Sequence, residues 1–130
     1  MHKKLLSAGI MLAGLAVILG AFGARKLKEL VPPETVASFQ TGAQYQMYHS
    51  LALIVVAICF EKFPNNLIRW AGTCFLIGIL LFSGSLYLLA ALKATDQVGL
   101  NGLGLITPIG GLFFISGWLL FLFGVRKSLR

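Results

Sequence analysis

The sequence predicts an all-α fold, an integral membrane bundle of four transmembrane helices forming one domain over residues 1–130. Three observations carry this expectation. Hydrophobic residues make up 58% of the chain and charged residues 12%, with a mean hydropathy of +0.88, whereas a soluble domain carries about 25% charged residues. A small chain cannot hide that much apolar surface from water, so lipid is the expected solvent. The apolar residues also fall in four runs, three of them long enough outright to cross a hydrocarbon core of about 30 Å, which takes about 20 helical residues. Finally, most of the 11 Lys and Arg, set against 4 acids for a net charge of +7, flank these runs. That placement fits anionic lipid head groups and not nucleic acid. Strands are excluded by the length of the runs and their lack of alternation.

The first run, Leu5 to Ala24, holds twenty residues without a charge. Lys3 and Lys4 before it and Ala21-Phe22-Gly23 near its end give it some likeness to a secretory signal. It exceeds a typical signal core of about 7–15 apolar residues, so a retained span is expected, and no Cys follows to make a lipoprotein anchor there. Residues 25–42 read as an interfacial loop with a short amphipathic helix. Arg25, Lys26, Lys28 and Glu29 open the loop, and Pro32-Pro33 stops the first helix. Pro33 then suits the first position of a new helix, with Glu34 favoured in its first turn. Val36, Phe39 and Ala43 recur at helical spacing along it.

The second span, about residues 43–60, has the apolar stretch Tyr45 to Phe60, so its helix is expected to begin within Pro33 to Gln44. Glu61 to Arg69 contains Pro64-Asn65-Asn66 and reads as a tight turn. The third span is Trp70 to Leu92 and the fourth Leu103 to Val125, joined by a polar, Gly-rich loop from Lys93 to Gly102. Four spans put both termini on one side. The termini and second loop carry Lys3, Lys4, Lys62, Arg69, Arg126, Lys127 and Arg130; the other loops carry Arg25, Lys26, Lys28 and Lys93. This 7 to 4 excess favours cytoplasmic termini.

Among lipid tails, helices associate through close backbone contact, which small residues permit. Ala16-xxx-Gly20-xxx-Ala24 marks one such face, as do Gly9 and Ala13, Gly78 and Gly84 in the third span, and Gly110, Gly117 and Gly124 at seven-residue spacing in the fourth. Spacing does not say whether these seams join helices within one chain or between chains. Pro108 removes a backbone donor and frees the carbonyl of Gly104, with Thr107 and Asn101 near enough in sequence to compensate. A kink near the start of the span is favoured over a broken helix lining a site, because Pro is common in transmembrane helices.

The chemistry-bearing residues concentrate where the second span begins. Gln40, Gln44 and Tyr48 are four apart, as are Thr41, Tyr45 and His49, giving two neighbouring rows and a candidate polar intramembrane site. An ionisable group inside a membrane is by default a functional-site hypothesis. The competing reading makes His49 structural, hydrogen-bonded to Ser83, Ser85 or Tyr87 of the third span, with Ser83 and Tyr87 forming the partner face. No Asp or Glu lies within a span. No metalloprotease His-Glu spacing, nucleophile elbow or phosphate-cradling loop is present, and His49 alone could give a haem one axial ligand. His2 is expected to be solvated. Cys59 and Cys74 sit singly in apolar runs and read as buried small residues. No catalytic residue, cofactor or metal site is expected.

Gly20-Ala21-Phe22-Gly23-Ala24, Phe39-Gln40-Thr41-Gly42 with Tyr45-Gln46-Met47-Tyr48-His49, Gly84-Ser85-Leu86-Tyr87, and Ile106-Thr107-Pro108-Ile109-Gly110-Gly111 with Gly117-Trp118 occur in this order. Together they resemble the YgdD/YwdK-like family of small bacterial inner-membrane proteins of unknown function. The resemblance covers nearly the whole chain. It implies four transmembrane helices and an inner-membrane location, and supplies neither a catalytic residue nor a substrate. Arg25 departs from the His expected after the Gly-Ala-Phe-Gly-Ala run. The leading functional expectation is a non-enzymatic bundle that packs against itself, as a homo-oligomer, or against a larger membrane complex. The alternative is a transporter or channel for a small or apolar molecule, with His49 and Pro108 lining its path. A lipid-modifying enzyme with His49 as base ranks below both for want of a nucleophile or metal partner.

Overall fold

A computed structural model describes residues 2–95 and 103–129. Among these residues all regular structure is helical, and four helical stretches are long and apolar enough to cross a membrane. Helix α1 runs Lys3–Arg25. A 3₁₀ turn, Leu27–Glu29, follows it, and α2 then runs Pro33–Lys62. The third stretch is α3, Asn66–Gly78, continued by a π-helical turn at Ile79–Ser83 and by α4, Gly84–Ala94. The fourth is α5, Leu103–Leu129.

Local chemistry sets the boundaries. His2 is the N-cap of α1, its Nδ1 accepting from the backbone N–H of Leu5 at 3.3 Å. Its ring meets Phe60 edge-on, so it is half-buried rather than solvated. Pro33 occupies the first turn of α2, where its missing N–H costs nothing. No breaker follows, so the amphipathic stretch and the second span form one 30-residue helix. The first connection therefore shrinks to residues 26–32 and the second to residues 63–65. The side chain of Asn65 caps α3 by accepting from Ile68 N–H at 3.2 Å. Helix α5 continues through Pro108. Lys93 and Ala94 are helical and Thr95 is a turn at the end of α4, whereas the rest of the expected third loop, residues 96–102 with Asn101 among them, lies outside the described residues.

The helices pack as two antiparallel hairpins, α1 on α2 and α3–α4 on α5, with α2 bridging them. At the end that holds the N-terminus, Leu5, Leu53, Val56, Ala57, Ile68, Phe75 and Phe114 form the main core. A smaller cluster of Leu27, Val31, Val36, Phe39 and Ala90 closes the opposite end. Met11 is 73% exposed, Leu80 72% and Leu105 72%, an outward apolar face that belongs in hydrocarbon.

The glycine seams obey a seven-residue rule. On α5, Gly110, Gly117 and Gly124 all face the third stretch: a Cβ at Gly110 would strike the backbone of Phe82, at Gly117 the Phe75 ring (2.6 Å), and at Gly124 Ile68 (2.6 Å). On α1 the buried small residues are Gly9, Ala16 and Gly23, again seven apart. The expected Ala16, Gly20, Ala24 row does not hold together: Ala16 is buried, Gly20 has open space beside it, and Ala24 is exposed. Four helical residues overshoot a full turn by about 40° and seven fall short of two turns by about 20°, so a fourfold row winds off the contact line. Gly78 abuts Phe114, whereas Gly84 faces open space.

Candidate functional site

The polar side chains of α2 divide by helical phase. Gln44 and Tyr48 point outward, where the Gln44 amide donates to the Tyr48 hydroxyl at 2.6 Å, so each partly satisfies the other at the lipid-facing surface. Thr41 returns its hydroxyl to the Ala37 carbonyl at 3.0 Å, one turn back. Gln40 reaches across to α1, its amide donating to the Gly20 carbonyl at 3.3 Å. The predicted strip is thus not a single surface, and its buried member is His49.

Both nitrogens of His49 are engaged. Nδ1 lies 2.8 Å from the Tyr45 carbonyl oxygen, and the Trp118 indole N–H of α5 points to Nε2 at 3.1 Å. A carbonyl only accepts and an indole N–H only donates, so the geometry selects a neutral imidazole with its proton on Nδ1. The ring is 5% exposed. It stacks on Phe114 (3.6 Å between centroids, 11° between planes) and meets Phe75 at 5.4 Å. Tyr45 extends this aromatic cluster to Phe82, with centroids 4.9 Å apart. His49 therefore ties α2 to α5 through Trp118, and the partners expected for it on the third stretch are committed elsewhere.

Ser83, in the π turn, donates to the Gly42 carbonyl at 2.6 Å. Ser85 pairs with the hydroxyl of Thr107 on α5. Tyr87 donates to Oε1 of Gln46 at 2.6 Å.

Gln46 escaped the sequence reading and is the hub of the interior. It is 1% exposed. Its amide N–H donates to the Leu12 carbonyl of α1 at 2.8 Å, its amide oxygen accepts from Tyr87 on α4, and its backbone carbonyl accepts from Ser50. Three spans thus meet at one amide. A signal was available: Gly42, Gln46 and Ser50 are four apart, a row of small and polar residues of the kind that marks a buried helix face.

Among the described residues no three His, Cys, Asp or Glu side chains assemble into a metal-binding group. Cys59 and Cys74 are free thiols, each half-buried. His49 borders none of the grooves described below, although its partner Trp118 borders one of about 270 Å³ with Phe121, Leu122 and Val125. One of about 450 Å³ is bordered by Lys28, Val31, Pro33, Val36 and Ala37. Another of about 410 Å³ is bordered by Leu67, Phe123, Arg126 and Lys127.

Comparison with known proteins gives a consistent picture. Residues 19–111 match the family described as "Protein of unknown function (DUF423)". The chain is 41% identical over 128 residues to the UPF0382 membrane protein YwdK of Bacillus subtilis, covering 98% of this chain and 99% of that one. It is 38% identical over 128 residues to a UPF0382 membrane protein of Haemophilus influenzae, covering 98% of each. It is 36% identical over 114 residues to the UPF0382 inner membrane protein YgdD of Escherichia coli, covering 88% of this chain and 82% of that one. No solved structure matches.

Proposed function

This chain belongs to the DUF423 family of membrane proteins, and from that premise we propose that it is a non-enzymatic accessory component of a bacterial inner-membrane assembly, with both termini in the cytoplasm. The observation that carries the proposal is how its polar groups are used. His49, Gln46, Ser83, Ser85 and Tyr87 all spend hydrogen bonds on joining helices. A general base or proton carrier needs a free lone pair within reach of its substrate, and the Nε2 lone pair of His49 is already held by Trp118. The transport reading would also need a path at this ring, which is packed against Phe114.

Meanwhile α1 turns Gly14 toward open space, beside the exposed Ile10, Met11, Leu15 and Ile18. Small residues on a lipid-facing helix permit close approach by another helix. The location rests on the inner-membrane relative, and the orientation on the excess of cations at the terminal end.

Native mass spectrometry from bilayer nanodiscs tests the proposal. Discrete complexes, either of several copies or with a stoichiometric second protein, are expected. Gly14→Leu should disperse them while leaving the fold of each chain intact. Isolated single chains from the unaltered protein would overturn it.

A further inference from the structure

The two ends of the bundle differ in charge and shape. The hydrogen bond from the His2 backbone N–H to the Ala57 carbonyl places the start of α1 beside the end of α2. Asn65 donates to the Gly124 carbonyl at 3.0 Å and to the Ser128 hydroxyl at 2.7 Å, which pins the start of α3 to the end of α5. Lys3, Lys4, Lys62, Arg69, Arg126 and Lys127 therefore share one end with a single described acid, Glu61. At the other end Arg25, Lys26, Lys28 and Lys93 are accompanied by Glu29 and Glu34.

At the more cationic end the α3–α5 seam opens outward into the groove of about 410 Å³ bordered by Leu67, Phe123, Arg126 and Lys127. Gly124 draws Ile68 against α5, which brings their chain neighbours Leu67 and Phe123 to the two sides of the groove. Its lining changes character along the chain, from the apolar Phe123 to two exposed cations one turn further on.

We propose that this groove is a binding site for one anionic phospholipid, with the phosphodiester between Arg126 and Lys127 and an acyl chain running past Phe123 and Leu67. Charge complementarity favours this occupant at the depth where head group and chain part. A planar guanidinium holds phosphate oxygens bidentately and an ammonium adds a point charge, and basic pockets between spans on one leaflet suit anionic head groups. A zwitterionic lipid offers the same phosphate with an ammonium of its own, which the two cations disfavour.

The test titrates the detergent-solubilised full chain with phosphatidylglycerol or phosphatidylcholine and counts bound lipid by native mass spectrometry. A first phosphatidylglycerol should bind at least five-fold more tightly than phosphatidylcholine. Arg126→Gln with Lys127→Gln should remove most of that preference. Lys3→Gln with Lys4→Gln, an equal loss of charge at the same end but away from the groove, should change it by less than two-fold. Unchanged circular dichroism melts would show that both variants fold. Equal loss in both double variants would overturn the proposal in favour of diffuse attraction, and so would the absence of any lipid preference.

Discussion

Gln46 is a fully buried amide. An amide in hydrocarbon must find partners within the protein, and this one finds them on both neighbouring spans. Gln46→Leu keeps the bulk but leaves the Tyr87 hydroxyl without its acceptor; the expected cost is about 1–3 kcal/mol, the penalty of an orphaned buried polar group. Tyr87→Phe should cost less, and the double variant should cost less than the sum, with a coupling of about 0.6 kcal/mol and at most about 1.7. Unfolding in mixed micelles measures all three; additive losses would show that the pair does not interact. The sequence could not rank Gln46 above Gln40 or Gln44, because all three are amides at the start of one span. What separates them is the rotational phase of α2 against its neighbours. His49 was singled out for its chemistry and is indeed buried, yet its partner Trp118 lies 69 positions away on a different helix, a distance over which no spacing rule operates.

At the scale of the element, backbone proximity decides which glycines matter. Gly110 and Gly111 are neighbours on α5, but a Cβ at the first would collide with the backbone of Phe82, whereas the second has no atom within 4 Å. Backbone cannot step aside as a flexible side chain can, so Gly110→Ala should destabilise by about 1–3 kcal/mol, the usual cost of overpacking. Gly111→Ala should be neutral or stabilising by up to about 1 kcal/mol, the helix-propensity gain. The same micelle unfolding assay reads both, and equal effects would show that Gly110 is not held against the Phe82 backbone. The strict seven-residue seam of the fourth span was legible because its period stays on one side of a helix. The fourfold row of the first span is equally small in side-chain volume but rotates away from α2, so only Ala16 of the three lies buried. Helix ends extend past the apolar runs for a related reason: hydropathy sees the apolar middle, whereas caps such as His2 and Asn65 carry the helix into polar residues. The π turn at Ile79–Ser83 left no trace in the sequence, since it is a change of pitch and not of composition.

At the scale of the whole molecule, four spans were legible because hydrocarbon thickness sets their number from length alone, but the way they cross the membrane depends on charge at the ends. Counting acids sharpens the comparison. The terminal end keeps six described cations against Glu61, whereas the opposite end offsets its four with Glu29 and Glu34. The bias rule weighs Lys and Arg near span ends and gives acids little influence, and the two ways of counting agree in direction. A fluorescent protein fused after Arg130 should therefore fold and glow, and alkaline phosphatase fused there should stay inactive. Within the first connection, between Leu30 and Val31, the pattern should reverse. Replacing Lys3, Lys4, Arg126 and Lys127 together with Gln removes four of the cations that set this bias. Those four side chains lie outside the glycine seams and the Gln46 hub, so helix packing should survive while a fraction of molecules inserts the other way round. Dual topology in the unaltered chain would show instead that the terminal charge does not fix the orientation.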